Sequence, residues 1–165
     1  MTKSILRGLG LLVLATSVLS VPAQARMVRS MSSADVSARA GATPIEDGGR
    51  TFAQFHGKPG IKRIASNLVD LNEADPRIAK SFRGIDLKHL KHMLAAQFCY
   101  ILGGSCIYTG RSMPEAHASE HLTDADMGAL VENLQKAMDR EGVPFRAQNR
   151  LLAKLAPMKR DVVGR

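Results

Sequence analysis

The 165-residue sequence lacks the short motifs that define a metal site by themselves. It contains no His-Glu-x-x-His, no Cys-x-x-Cys and no aspartate-rich loop of the calcium-binding type. These absences exclude the zinc-protease, zinc-ribbon and EF-hand classes of site. The chain has five histidines, so any metal would be held by an arrangement that these motifs do not describe.

Aromatic residues are also scarce, because they make up 4% of the chain and none is a tryptophan. A formal net charge of +8 can indicate a nucleic-acid or membrane-surface partner. Here the basic residues are spread along the chain and no aromatic residues alternate with them. We therefore interpret the charge as a solvated basic surface and expect no nucleic-acid partner.

The apolar run at residues 9–19 is about half the length needed to cross a bilayer, which is roughly 20 residues. It follows two basic residues, Lys3 and Arg7, and it precedes two alanines, Ala23 and Ala25, which suit a cleavage site. This arrangement is typical of a secretory signal peptide rather than a membrane anchor. The sequence predicts a signal peptide over residues 1–25, a protein exported to the periplasm, and no stable membrane insertion after its removal.

Only two cysteines occur, Cys99 and Cys106, and both lie in the part of the chain that would be exported. In an oxidising compartment, an even number of cysteines at short separation favours one internal disulfide bond. Gly103 and Gly104 lie between them and would let the chain turn back. A pair of buried free thiols is the alternative.

Residues 26–50 are rich in serine, alanine, glycine and charge, without a sustained apolar period, and they read as a flexible leader. From residue 51 to residue 162 the apolar residues recur at helical spacing, and no segment has a period of two. We expect one all-α domain there. Asp86 and Thr123 are predicted helix N-caps, and the last helix is expected to bend near Pro157.

Two of the predicted helices carry long apolar stripes. The stripe after Asp86 consists of Leu87, Leu90, Leu94, Phe98 and Ile101, flanked by Met93 and Gln97. The stripe after Thr123 is predicted to face the core and consists of Met127, Leu130, Val131, Leu134 and Met138. Gly103-Gly104 is predicted to end the first of these helices.

The histidines form two pairs at helical spacing, and neither is favoured as a metal site by the residues alone. His89 and His92 are three apart, but His92 points almost opposite the apolar stripe of its helix. His117 and His121 are four apart, but the predicted N-cap at Thr123 indicates that no single helix runs through both of them. A lone histidine such as His117 is more often a surface or core residue with its hydrogen bonds satisfied than a metal ligand.

Four segments at fixed spacing nevertheless resemble group I truncated haemoglobins, in particular exported members with two cysteines. They read FHGKPGI, ADPRIAKSFRGID, LGGSCIYTGRSMPEAH and LTDADMGALVENL. The resemblance extends from about residue 52 to residue 162. It implies a two-over-two helical sandwich around haem b that reversibly binds a diatomic gas, namely O₂, NO or CO. No pair of residues in the sequence indicates catalytic turnover, so we do not expect an enzyme.

The resemblance implies that His117 is the proximal ligand of the haem iron and that His121, where relatives often have glycine, is not a metal ligand. It implies that Phe82 packs on the porphyrin and that Tyr108 belongs to an ordered loop. Arg111 and Lys91 would neutralise haem propionates. The cofactor-binding residues expected on this basis are Phe82, Leu90, Met93, Leu94, Phe98, Tyr108, Arg111, Met113, His117 and His121.

The sequence departs from the family where bound oxygen would receive hydrogen bonds. Many relatives have a tyrosine and a glutamine at the positions that correspond to Val69 and Leu94. Leu90 occupies the position of the residue that usually gates the distal pocket in relatives. The distal pocket is therefore expected to be apolar unless Gln97 or Tyr100 turns into it. Loss of a hydrogen bond of about 1.5–3 kcal/mol would weaken oxygen retention about 10- to 150-fold.

Met93 adds an alternative function, because it flanks the stripe at a site where some relatives place a second iron ligand. A His/Met-ligated haem would suit electron transfer or peroxidase-like chemistry in the periplasm, since thioether ligation raises the potential. A plain packing role for Met93 is the competing interpretation. The sequence does not identify a reductase partner.

Overall fold

The computed structural model describes residues 31–164, and the predicted signal peptide lies outside the described residues. Within residues 31–164 the chain is helical and has no strand, which confirms the all-α prediction. The helices are α1 (Ser33–Ala40), α2 (Arg50–Gln54), α3 (Gly57–Ala74), α4 (Leu87–Ile101), α5 (Met113–His117), α6 (Asp124–Arg140), α7 (Phe145–Leu155) and α8 (Lys159–Val162). Short 3₁₀ helices cover Ala79–Phe82 and Ala156–Met158.

The predicted helix boundaries are set by local hydrogen bonds. The Asp86 carboxylate accepts the His89 backbone N–H at 3.0 Å and begins α4. Thr123 and Asp126 form a reciprocal capping box at the start of α6. After α4, Gly103 adopts φ 80°, and a Cβ there would lie 2.7 Å from the Ile45 carbonyl oxygen, so the turn that ends α4 requires glycine. These boundaries confirm the sequence predictions.

Helix α3 is the central element, because it packs against both α4 and α6. Ile64, Leu68 and Val69 on α3 are buried. Full burial of each such side chain stabilises the fold by about 1.5–3 kcal/mol. The positions of α4 and α6 are therefore both set by their packing on α3.

A buried polar contact also joins α3 to α6. The Asn133 side-chain amide donates to the Asn72 side-chain oxygen and to the Asp75 carboxylate, both at 3.0 Å. Arg77 pairs with the same carboxylate at 2.8 Å and, through its hydrogen bonds, lowers the pKa of Asp75 well below its usual range. This contact fixes the end of α3 where the chain turns at Asp75.

The prediction of a flexible leader over residues 26–50 is wrong for residues 33–40, which form helix α1. Ser32 and Asp35 make a capping box at its start. Val36 and Ala40 are buried in the core of the domain, at 6% and 0% exposure. Two buried residues in eight give a weak periodic signal, and the partners that bury them lie far away in the sequence.

The predicted disulfide bond joins Cys99 near the end of α4 to Cys106 in the loop before α5, with a Cα–Cα distance of 5.9 Å. Cys99 is buried and Cys106 is half-buried. The bond closes a short loop at a sequence separation of 7. It therefore restrains the chain shortly before the segment that carries His117.

Removal of this bond should destabilise the domain without changing its helices. The loop-entropy relation gives about 2–3 kcal/mol for a loop of this length. We expect the Cys99→Ala/Cys106→Ala variant to unfold at lower urea concentration, as measured by circular dichroism. Reductant should lower the midpoint of the wild type to that of the variant and leave the variant unchanged. Equal midpoints without reductant would contradict a stabilising bond.

Candidate functional site

His117 is the last residue of α5, and it is half-buried. Its ring nitrogen Nδ1 lies 2.9 Å from the backbone carbonyl oxygen of Met113. A carbonyl oxygen can only accept, so Nδ1 carries the proton and donates this hydrogen bond. The proton-free lone pair is then on Nε2, the nitrogen through which a neutral imidazole binds a metal.

Helix α5 has only five residues, so its neighbours must hold it in place. The Glu115 carboxylate accepts the Ser112 backbone N–H at 2.9 Å, completing a capping box, and these bonds lower the pKa of Glu115. Helix α8 packs against α5. Beyond His117, the chain is tied to the C-terminal segment, where Gly164 donates to the Leu122 carbonyl at 2.9 Å.

The structure separates one of the two histidine pairs that helical spacing suggested and leaves the other exposed to solvent. Because α5 ends at His117, His121 does not share its helical face. His121 is exposed and adopts φ 48°, a left-handed conformation that favours glycine. His89 and His92 are both exposed on α4. Among residues 31–164, no group of three or more histidine, cysteine or acidic side chains could hold a metal ion.

The apolar stripes of α4 and α6 are only partly covered by protein. The last residues of each stripe are buried, namely Phe98 and Ile101 on α4 and Leu134 and Met138 on α6. The residues in the first half of each stripe are half-buried, namely Leu87, Leu90, Met93, Leu94, Met127, Leu130 and Val131. Both helices pack chiefly on α3 rather than on each other. Sequence reasoning assigned the α6 residues to the core and missed this half-covered surface.

The two polar residues that could have served a distal pocket point elsewhere. Gln97 is buried, and its Nε2 donates to the Ala40 carbonyl at 2.8 Å. The Tyr100 hydroxyl lies 2.6 Å from the Ser37 hydroxyl. Both partners belong to α1, so neither side chain is available to the distal residues. This leaves apolar side chains at Val69, Leu90 and Leu94.

The other predicted cofactor-binding residues have distinct surroundings. Phe82 is half-buried at the end of its 3₁₀ helix, and Arg111 is exposed. The Tyr108 hydroxyl donates to the Arg111 carbonyl at 2.8 Å, and burial raises the pKa of Tyr108. Tyr108 thus orders the loop before α5. Lys91 pairs with Asp70 at 2.6 Å, so its ammonium group already has a counter-ion.

These residues fit a flat apolar group that carries one metal ion. The hydrogen bond to Met113 orients a single imidazole, and half-covered leucine and methionine side chains on α4 and α6 offer apolar contact. Gln97 Nε2 lies 3.9 Å from Met113 Sδ, so α4 passes directly beside the start of α5. One imidazole between apolar walls suits haem, because histidine is one of the residues that hold haem iron.

Two surface depressions lie elsewhere. One, of about 540 Å³, is bordered by Asp47 and Arg150, which form an ion pair at 2.6 Å. The other, of about 310 Å³, lies beside Phe145 on α7. Neither contains a predicted site residue, and their charged side chains do not suit an apolar cofactor. Among the described helices, none has the length and apolar character needed to cross a membrane.

The fold and the site together define an all-helical domain with one oriented histidine and with half-covered apolar faces on α4 and α6. The model of the bacterial-like globin family matches residues 50–163, and the chain belongs to this family. Globins are haem proteins that bind gaseous ligands, so membership in the family confirms the general function expected from the sequence, which is haem-based gas binding.

The chain is similar in sequence to group 1 truncated hemoglobins. It is 27% identical over 114 residues to the group 1 truncated hemoglobin of Tetrahymena pyriformis, covering 69% of this chain and 94% of that protein. It is 29% identical over 94 residues to a group 1 truncated hemoglobin of Chlamydomonas moewusii, covering 56% of this chain and 55% of that protein. The resemblance to group I truncated haemoglobins is confirmed.

The same fold is found in a solved structure. The crystal structure of the Tetrahymena pyriformis truncated hemoglobin in its Fe(III) form superimposes with a TM-score of 0.67 at 23% identity, covering 70% of this chain and 98% of that chain. This confirms the two-over-two helical fold. Helix α1 precedes the residues matched by the family model.

Proposed function

We propose that His117 Nε2 would hold the iron of haem b, and that the bound haem would allow the protein to bind a diatomic gas, O₂, NO or CO, reversibly. The observation that carries this proposal is the 2.9 Å hydrogen bond from His117 Nδ1 to the Met113 carbonyl. Family membership supports the cofactor. The Fe(III) form of the Tetrahymena relative supports iron as the metal.

Each residue has a defined task in this proposal. The Met113 carbonyl fixes the imidazole tautomer and orientation and makes the ring a more basic ligand. The half-buried leucines of α4 exclude water from the site. Exposed Arg111 can pair with a propionate, whereas Lys91 would first have to leave Asp70. Bound haem supplies the iron that takes up the gas.

The distal residues favour ligands that bind without a hydrogen bond. Val69, Leu90 and Leu94 offer no donor, and Gln97 and Tyr100 are bonded to α1. Bound O₂ carries partial negative charge and gains most from a donor, whereas CO gains little. These distal side chains also transfer no proton, so we propose gas binding rather than catalytic turnover.

The proximal ligand is tested by the visible spectrum of residues 26–165 reconstituted with haem. We expect a Soret band in the wild type that is lost or shifted in His117→Ala, because the axial nitrogen is removed. His121→Gly is the matched control: it removes an exposed histidine from a left-handed position and should keep the wild-type spectrum. Absence of haem uptake by the wild type would refute the proposal.

The ferrous spectrum of the same samples distinguishes gas binding from the redox alternative. An open sixth position supports gas binding. A filled position that opens in Met93→Leu would instead support a His/Met-ligated redox protein.

The apolar distal site is tested by adding the missing donor. We expect Leu94→Gln to slow O₂ dissociation about 10- to 150-fold, the effect of a hydrogen bond of roughly 1.5–3 kcal/mol to a charged partner, and to change CO dissociation far less. Stopped-flow kinetics measures both rates. The control is Leu152→Gln, which makes the same change at a half-buried leucine on α7. Equal slowing of O₂ and CO would contradict the hydrogen-bond explanation.

We also propose that the protein is exported to the periplasm, as the leader-like residues 1–25 and the Cys99–Cys106 bond suggest. Mass spectrometry of the protein from the periplasmic fraction should give a chain that begins at Arg26. A chain expressed without residues 1–25 should remain in the cytoplasm. Recovery of the intact chain, starting at Met1, from the cytoplasm would contradict export.

A further inference from the structure

We propose that Gln97 is a positioning residue for His117: it anchors Met113 to helix α1 and thereby strengthens the bond between the imidazole and iron. This inference rests on the proposed function, since it concerns the same proximal histidine. It assigns a role to α1, which lies before the residues matched by the globin family model.

Three consecutive contacts carry the inference. Gln97 is 4% exposed, and its Nε2 donates to the Ala40 carbonyl at 2.8 Å. The same Nε2 lies 3.9 Å from Met113 Sδ, a weak acceptor. The Met113 carbonyl then accepts from His117 Nδ1 at 2.9 Å. These contacts form a continuous path from the last residue of α1 to the proximal imidazole.

Helix α5 needs such an anchor because it is short. Isolated helices shorter than about 12–15 residues are marginal in water, and α5 has five. Met113 is its first residue and His117 its last, so the Met113 side chain fixes the end opposite the imidazole. A methionine has three rotatable bonds and adapts to loose surroundings. The contact at the sulfur therefore adds to the Ser112 capping box in holding Met113 in place.

Helix α1 is firmly placed, so it can serve as the fixed end of this path. Ala40 is fully buried. One turn earlier, the Ser37 hydroxyl lies 2.6 Å from the Tyr100 hydroxyl. The Arg39 guanidinium donates to the Gly110 carbonyl at 3.5 Å, in the loop before α5. Helix α1 therefore contacts both α4 and the loop that leads to the proximal helix.

Loss of the Gln97 amide should remove two of these contacts. The Ala40 carbonyl would lose its donor, and Met113 would lose the polar contact to its sulfur. A freer Met113 lengthens the His117 hydrogen bond, and a less polarised imidazole donates less charge to iron. Loss of a direct outer partner of a metal ligand costs about 10- to 100-fold in affinity. Gln97 acts one residue further away, so we expect about tenfold faster haem loss, the lower end of that range.

The test compares haem-loaded Gln97→Leu with wild type, using residues 26–165. The iron–histidine stretching frequency, measured by resonance Raman on the photodissociated CO complex, should fall in the variant. Haem transfer to excess apomyoglobin should become about tenfold faster. In the haem-free protein, the ¹⁵N shifts of the His117 ring should show a smaller fraction protonated at Nδ1.

Gln148→Leu is the matched control. Gln148 is also buried, at 3% exposure, and lies on α7. Its Nε2 donates to the Val143 backbone carbonyl at 2.9 Å and to the Asp139 carboxylate at 2.7 Å. This variant should lose comparable stability in apoprotein thermal unfolding while keeping the wild-type stretching frequency. An equal frequency shift in both variants, or no shift in folded Gln97→Leu, would overturn the proposal.

A second variant covers failure of Gln97→Leu to fold. Met113→Leu keeps the apolar side chain and the backbone carbonyl but removes the sulfur, so the frequency should fall by a smaller amount. An unchanged frequency there would overturn the role of the Gln97–Met113 contact. Failure of the proposed function has a different signature, because His117→Ala would then keep the wild-type haem spectrum.

Discussion

The shortness of helix α5 is the constraint on which the site depends. Five residues cannot stabilise their own helix, so the position of His117 is determined by what surrounds it. The capping box at Ser112 fixes the start of the helix, α8 packs against it, and the Met113 carbonyl orients the ring. The position of the imidazole therefore depends on the elements that surround α5, and its hydrogen bond to Met113 sets the orientation of the ring.

Helix α3 provides the framework for the rest of the site. The helices α4 and α6 both pack on it rather than on each other, and only the last residues of their apolar stripes are buried. Toward the beginning of α4 and α6, leucine and methionine side chains remain half-covered. Apolar walls of this kind exclude water and offer no hydrogen bond. They favour the uptake of a neutral gas over reactions that need proton transfer.

Helix α1 changes the chemistry of the site without contributing a side chain to it. Its carbonyl at Ala40 and its hydroxyl at Ser37 engage Gln97 and Tyr100. These are the two side chains of α4 that sequence analysis considered as distal donors. Engaging them keeps the distal side apolar and, by our inference, steadies the proximal side. A segment that reads as a leader in the sequence therefore affects both faces of the proposed haem site.

The sequence by itself determined the features that act over a few residues. The caps at Asp86 and Thr123, the left-handed glycine after α4 and the disulfide pair were predicted from local patterns, and the spaced motifs indicated the family. Only the tertiary structure decided that residues 33–40 fold and that Gln97 and Tyr100 turn toward them. Both outcomes depend on hydrogen-bond partners that lie 57 and 63 residues apart in the sequence. Helical periodicity reports which face of a helix is apolar, but not which distant group will satisfy a polar side chain on that helix.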